Sequence, residues 1–139
     1  MKVKHLMRKN LVTVPFSATI RDAALKMDEH KVGAVLIVDK GMKIEGIVTD
    51  RDVAIAVAVR GKDPAKACVY DIMSTDVVSV KEDDDIASAL RVMSTANVRR
   101  LPVCRNGKIA GIISSSDIAS EIKEEINEFI GLEEAYAKH

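Results

Sequence analysis

The chain has 139 residues, enough for one domain or for two very small units that share a core. Its 21 basic and 21 acidic residues cancel to a formal net charge of zero, which disfavours nucleic acid and anionic membranes as partners. Aromatic residues make up only 3%, so the core must be aliphatic and platforms for stacking bases are scarce. No continuous apolar stretch has the length of a signal peptide or a membrane span, so we expect a cytoplasmic protein.

The first half of the chain has the pattern strand, helix, strand, strand, helix. The first strand stops at Pro15, which cannot continue a ladder, and the hairpin strands are separated by a turn around Gly41. The closing helix is rich in alanine and valine on several faces, as in a helix that lies in an interface. The predicted elements are a strand over 11–14, a helix opened by a Thr19–Asp22 capping box, strands over 34–38 and 43–48, and a helix over 50–59.

The second half repeats this order after a polar connector that contains Gly61 and Pro64. Its last helix continues well beyond its counterpart and carries further apolar residues at helical spacing, which predicts either a lid on its own core or a dimer contact. The predicted elements are a strand over 77–80, a helix that starts at the acidic residues 83–85, strands over 101–104 and 109–113, and a helix from Ser115 whose extension includes Ile122, Ile126, Phe129 and Ile130.

An internal repeat accounts for this order. An offset of 66 residues aligns Met7 with Met73 and Gly41 with Gly107, and an offset of 65 then aligns Gly46 with Gly111. The one-residue change falls in the hairpin turn, where insertions and deletions cost least. The sequence therefore predicts two similar units packed about a pseudo-twofold axis.

Each unit ends its second hairpin strand with a hydroxyl residue followed three positions later by an aspartate. These pairs are Thr49 with Asp52 and Ser114 with Asp117. On one interpretation they are capping boxes that only start helices. On the other, the hydroxyl and the helix N-terminus face a phosphate while the carboxylate accepts hydrogen bonds from a ribose diol.

The chain resembles a tandem pair of cystathionine-beta-synthase (CBS) domains, the arrangement called a Bateman module. The resemblance is carried by Asp71-Ile72-Met73, by Val98-Arg99-Arg100-Leu101-Pro102-Val103, and by the two endings at Gly46–Asp52 and Gly111–Asp117. It implies an α+β fold of two pseudo-symmetric β-α-β-β-α units packed sheet to sheet. The expected boundaries are 1–60 and 69–122 for the units, 61–68 for the connector and 123–139 for a helical extension.

The same resemblance implies a regulatory module without catalytic activity that binds an adenosyl ligand, signals to a partner protein and forms a homodimer. AMP is the first candidate, followed by ATP, ADP and S-adenosylmethionine, and no metal is required. One cleft would hold the ribose with the carboxylate of the first unit and the phosphate with the arginines of the second. Its expected residues are Ile47, Thr49, Asp52, Val77, Val78, Arg99 and Arg100.

The second cleft would be weaker, because Gly33 and Ala34 stand where the first cleft has its arginines. The lack of a charge-assisted hydrogen bond worth about 1.5 to 3 kcal/mol would weaken a nucleotide roughly ten- to a hundredfold. The expected residues of this cleft are Leu11, Val12, Gly33, Ala34, Ser114 and Asp117.

Two alternatives to this interpretation follow from the residues. Arg99 and Arg100 would face solvent or pair with the acidic stretch 82–85 if no ligand were bound between the units. The whole chain would then be a ligand-free dimeric scaffold whose hydroxyl and aspartate pairs serve only as helix caps. Nucleophile, P-loop and metal-ligand signatures are missing from the sequence, and the two cysteines have no metal-ligand spacing, so catalysis is not expected.

Overall fold

The computed structural model describes residues 1–137, and both halves adopt the predicted order of elements. In the first unit the last helix, α2 (Asp50–Ala54), continues as a π-helical turn over Ile55–Val59. The last helix of the second unit is much longer than α2 and its π-helical turn together. The elements are β1 (Thr13–Val14), α1 (Ile20–His30), β2 (Ala34–Val38), β3 (Ile44–Thr49), α2 (Asp50–Ala54), β4 (Val80–Lys81), α3 (Ile86–Ala96), β5 (Arg100–Arg105), β6 (Lys108–Ser114) and α4 (Ser115–Ala137).

The α+β class and the packing of two sheets are confirmed. Each unit contains a three-stranded sheet, in the orders β1-β2-β3 and β4-β5-β6, whose first pair is parallel and whose second pair is an antiparallel hairpin. The sheets meet through a cluster that contains the buried residues Leu36, Val38 and Ile109. Each unit also has its own aliphatic core between sheet and helices, so the pseudo-symmetry extends to the packing.

The two units exchange the segments that precede their first strands. Val3 is fully buried in the core of the second unit, and Val69 is fully buried in the core of the first. At the end of each segment the backbone pairs with the second hairpin strand of the unit that receives the segment. Arg8 pairs with Ile112, and Ser74 pairs with Ile47. The sequence repeat did not indicate this exchange, because a repeat does not reveal which copy a segment packs against.

The exchange explains why β1 and β4 are shorter than the strands predicted over 11–14 and 77–80. The chain pairs with β6 at Arg8 and must reach the first sheet by Thr13, so the residues between them cross from one unit to the other. The segment from Ser74 to Val80 makes the equivalent crossing in the opposite direction. These crossing segments border the space between the units.

The extension of α4 does not cover the core of its own chain. Of this helix only Ile118 is buried, whereas Ile126 and Phe129 are 51% and 62% exposed. The lid interpretation is therefore wrong, and the apolar face remains available to a partner. None of the helices within residues 1–137 combines the length and the apolar character that crossing a membrane requires.

The crossing segment can lie this close to β6 at Arg8 because Gly111 has no Cβ atom. A Cβ atom at this position would lie 2.8 Å from the Arg8 carbonyl oxygen and 2.8 Å from the Met7 sulfur. Gly111→Ala should lower the free energy of unfolding by about 1 to 3 kcal/mol, the usual cost of overpacking. Urea denaturation followed by circular dichroism measures this change.

Gly131→Ala is the matched control, because Gly131 lies in α4 and a Cβ there would meet nothing within 4 Å. It should raise stability by about 0.5 to 1 kcal/mol through helix propensity. Equal stability of Gly111→Ala and the wild type would contradict the close approach of the crossing segment to β6.

Candidate functional site

Both hydroxyl and aspartate pairs are capping boxes at the starts of α2 and α4. The Thr49 hydroxyl accepts from the Asp52 amide at 3.2 Å, and Asp52 Oδ2 accepts from the Thr49 amide at 2.9 Å. The Ser114 hydroxyl and Asp117 Oδ2 form the same pair of bonds at 3.1 and 3.3 Å. Each box fixes its carboxylate at the end of a strand that borders the space between the units, and it uses only one carboxylate oxygen.

The first cleft contains all seven residues that the sequence predicts for it. They line one cavity of ≈ 360 Å³ between the units, a size typical of small-molecule sites. Thr49 and Asp52 come from the first unit, whereas in the second unit Arg100 begins β5 and Arg99 directly precedes it. The lining residues that sequence reasoning missed are Ala34, Ser74, Asp76, Val98 and Pro102. Ser74 and Asp76 precede Val77 on the crossing segment, so the exchange of segments, once known, would have identified them.

The two arginines face the cleft rather than the acidic stretch 82–85. Within residues 1–137, Arg99 and Arg100 take part in no ion pair, whereas Glu82 pairs with Arg105 at 3.9 Å. Asp83 pairs with Lys4 at 3.1 Å and with Lys2 at 3.6 Å, and the hydrogen bond and charge of Lys4 lower the pKa of this carboxyl. The alternative in which the arginines pair with this stretch is therefore wrong.

Arg100 lies on the boundary between the two clefts and lines both. Its Nη1 and Nη2 atoms are each 3.4 Å from the point where a Cβ on Gly33 would lie, and Asp50 Oδ2 is 3.2 Å from the same point. Arg99 lines only the first cleft. Both arginines line the first cleft, and because neighbouring residues of an extended segment project in opposite directions, Arg100 alone also lines the second.

The second cleft is smaller and contains five of its six predicted residues. Its cavity measures ≈ 210 Å³ and is lined by Val12, Gly33, Ala34, Ser114 and Asp117 among others. Leu11 is not part of the lining of this cavity. Because successive residues of an extended segment face opposite sides, Val12 faces the first core and the cleft, whereas Leu11 packs into the cluster between the sheets.

The second cleft also has cations that the sequence did not indicate. Positions 33 and 34 carry none, as predicted, but Arg8, Lys31 and Arg100 reach the cleft from other elements. The sequence prediction concerned positions 33 and 34 alone and did not include these three side chains. Arg8 corresponds to Ser74 under the repeat offset, so pseudo-symmetry gave no signal for a cation there.

Asp117 differs from Asp52 through a contact with Arg8. The Arg8 Nε and Nη2 atoms donate to Asp117 Oδ1 at 3.2 and 3.0 Å. Burial raises the pKa of Asp117, but hydrogen bonding by Ser114 and the hydrogen bonds and charge of Arg8 outweigh it and hold the pKa below its usual range. Both oxygens of this carboxylate are thus engaged within the chain, and the group stays ionised at neutral pH.

A larger cavity lies elsewhere in the described residues. It measures ≈ 910 Å³ and is lined by the ends of both hairpins and by residues 79–84. Its charged groups include Glu82 and Asp83, which already pair with basic side chains of the chain itself. It has no hydroxyl and carboxylate pair at a helix start, so volume alone does not make it the better candidate.

Comparison with known proteins identifies relatives of similar length. The chain is 34% identical over 117 residues to the CBS domain-containing protein YhcV of Bacillus subtilis, a match that covers 84% of this chain and 82% of that protein. It is 31% identical over 121 residues to hypoxic response protein 1 of Mycobacterium tuberculosis, which covers 87% and 85%.

Solved structures show the same architecture. The CBS domain pair of protein MJ0100, in complex with 5'-methylthioadenosine and S-adenosyl-L-methionine, superimposes with a TM-score of 0.80 at 28% identity and covers 90% of this chain and 98% of that one. Hypoxic Response Protein I with two coordinated zinc ions gives a TM-score of 0.79 at 30% identity, with 86% and 98% covered. Residues 1–137 of the present chain bring together no group of three potential metal ligands.

The family model for the CBS domain matches the chain twice, over residues 3–59 and 69–124. These two matches follow the internal repeat and together include both capping boxes, both crossing segments and the two arginines. The chain therefore belongs to the CBS domain family, as a tandem pair of CBS domains.

Proposed function

We propose that the chain is a regulatory module that binds an adenine nucleotide, AMP in the first place, in the first cleft. The observation that carries the proposal is the composition of that cleft. Thr49 and Asp52 of one unit face Arg99 and Arg100 of the other across a single cavity of ≈ 360 Å³. The complex of MJ0100 with two adenosyl compounds supports an adenosyl ligand in this type of fold.

The chemistry of the cleft matches the parts of a nucleotide. Asp52 Oδ1 accepts no hydrogen bond from the described residues, so it is free to accept from a ribose diol. Val77 and Val78 offer apolar contact and backbone groups to the adenine. The guanidinium groups of Arg99 and Arg100 suit a phosphate, to which arginine donates in bidentate geometry.

Charge distinguishes among the adenosyl ligands. Two guanidinium groups favour an anionic tail, so a nucleotide fits better than S-adenosylmethionine, whose sulfonium is a cation. Asp76 also lines the cleft and opposes the accumulation of negative charge there. This combination favours the monophosphate over ADP and ATP.

Signalling follows from the position of the ligand between two separately packed units. A nucleotide whose ribose is held by one unit and whose phosphate is held by the other favours one relative position of the units. A partner protein would recognise the surface that changes with the relative position of the units. The exposed apolar face of α4, which includes Phe129, suits the contact of a homodimer.

The alternative is a dimeric scaffold without ligand, and Asp52→Ala separates the two. On the nucleotide proposal, AMP raises the melting temperature of the wild type, and this rise disappears in Asp52→Ala because the diol loses its acceptor. The loss of the cap itself should lower stability by no more than about 1 kcal/mol. Differential scanning fluorimetry with and without AMP measures both effects.

Asp22→Ala is the matched control, since Asp22 and Thr19 form the same box at α1, with bonds of 2.9 and 3.1 Å. This variant should lose similar stability and keep the full rise with AMP. If AMP fails to stabilise the wild type, or stabilises Asp52→Ala equally, the scaffold is the better account.

The double variant Arg99→Gln, Arg100→Gln tests the phosphate end of the cleft. It should weaken AMP roughly ten- to a hundredfold, the equivalent of one lost charge-assisted hydrogen bond, and leave adenosine nearly unchanged. Isothermal titration calorimetry with both compounds measures the difference.

Arg105→Gln serves as its control, because Arg105 lies on the same strand but pairs with Glu82 outside the cleft. Its AMP affinity should equal that of the wild type. An equal loss for AMP and adenosine in the double variant would show that the arginines support the fold of the cleft and do not bind phosphate.

A further inference from the structure

The two capping boxes differ in one contact that bears directly on ligand binding. Asp52 uses Oδ2 for its cap, and its Oδ1 accepts from no group in residues 1–137. Asp117 uses Oδ2 for its cap and Oδ1 for two hydrogen bonds from Arg8. The carboxylate oxygen that would bind a ribose diol in the second cleft is therefore already bonded to a side chain of the same protein.

Arg8 and Ser74 occupy equivalent positions in the two units. The Arg8 amide donates to the Ile112 carbonyl at 2.8 Å and its carbonyl accepts from the Ile112 amide at 2.9 Å. Ser74 exchanges the same two bonds with Ile47, each at 3.0 Å. The backbone thus presents each side chain to the capping box at the end of the same strand. A serine is too short to reach the carboxylate, whereas the arginine spans the distance.

The volumes of the two cavities differ in the direction that this contact predicts, because the cleft that contains Arg8 is the smaller one. The first cleft, with Ser74 on its wall, measures ≈ 360 Å³, and the second, with Arg8 on its wall, measures ≈ 210 Å³. Small-molecule sites are about 300 to 1,000 Å³, so the first cleft falls within that range and the second below it. The arginine both takes up space and occupies the acceptor.

We propose that Arg8 is the residue that decides which cleft takes the ligand: its guanidinium stands in for the ribose diol on Asp117 and weakens the binding of adenosyl compounds in the second cleft. The proposal rests on the proposed function, since it assigns the ligand to one of two pseudo-equivalent clefts. It also replaces the explanation given by the sequence, in which the second cleft is weak because it lacks cations.

The strength of the contact sets the size of the effect. A ligand that enters the second cleft must displace the Arg8 hydrogen bonds from Asp117, whose carboxylate is only 15% exposed. The Arg8 side chain itself is 74% exposed, so solvent offsets part of this loss. Removal of Arg8 should therefore raise the affinity of the second cleft about tenfold, the equivalent of one charge-assisted hydrogen bond.

A reciprocal exchange of the two equivalent residues tests the proposal. Arg8→Ser gives the second cleft the side chain of the first, and Ser74→Arg gives the first cleft the side chain of the second. Calorimetric titration with AMP and with adenosine should show one molecule bound per wild-type chain and a second molecule bound by Arg8→Ser. Ser74→Arg should lose binding at the first cleft, because the new arginine pairs with Asp52.

The second cleft is isolated in an Asp52→Ala background. The double variant Asp52→Ala, Arg8→Ser should bind one adenosine per chain in the second cleft, about tenfold more tightly than Asp52→Ala alone. Melting curves verify that each variant is folded, and the gain of binding in the double variant is a result that a damaged protein cannot produce.

Three outcomes would overturn the proposal. The first is a wild type that fills both clefts equally, and the second is an Arg8→Ser variant with no added site. The third is an Arg8→Ser variant with weaker AMP but unchanged adenosine in the second cleft, which would make Arg8 a phosphate ligand. In all three cases binding at the first cleft persists, so the proposed function stands; if the wild type and every variant bind neither compound, both proposals fail.

Discussion

The hydrogen-bonded crossing of the chain between its two units is the constraint on which both clefts depend. Arg8 pairs with Ile112 and Ser74 with Ile47, so each unit completes its core with a segment that belongs to the other copy. Val3 and Val69 anchor these segments in aliphatic cores, where full burial of such a side chain contributes about 1.5 to 3 kcal/mol. Neither unit can therefore move far from the other without exposing its own core, and any ligand in the clefts acts on this shared framework.

Local features of the sequence predicted much of this structure. The capping boxes at Thr49 and Ser114 depend on residues three positions apart, and the hairpins depend on apolar runs on either side of a turn. The repeat then added long-range information, because two copies of one unit imply two related clefts. The seven residues expected for the first cleft line one cavity, and the family resemblance supplied them. Pairing of one unit's carboxylate with the other's arginines came from the family resemblance and could not have come from spacing alone.

Prediction failed where a contact joins residues that are distant in sequence and differ between the copies. Arg8 lies 109 positions from Asp117, and its counterpart Ser74 has no charge, so neither local pattern nor pseudo-symmetry pointed to their ion pair. Lys31 reaches the second cleft because the chain turns at this residue with a φ of 55°, a conformation that its sequence neighbours do not specify. Leu11 lies outside the cavity lining because the residues predicted as a strand instead cross between the sheets and alternate between the cleft and the intersheet cluster.

The two pseudo-symmetric clefts differ in the side chains that line them: Arg8 stands opposite Ser74 in the repeat, and Gly33 and Ala34 stand opposite Arg99 and Arg100. A module with two identical clefts would respond to ligand at both. Each bound ligand would favour the same relative position of the units. When the acceptor of one cleft is bonded to Arg8, that half of the interface is held by the chain itself and does not depend on ligand. On the function proposed above, only the cleft at Asp52 would then link the relative position of the units to ligand concentration, because a ligand shifts a conformational equilibrium only by its difference in affinity for the two states. On the same proposals, the ion pair between Arg8 and Asp117 would confine the response to a single cleft.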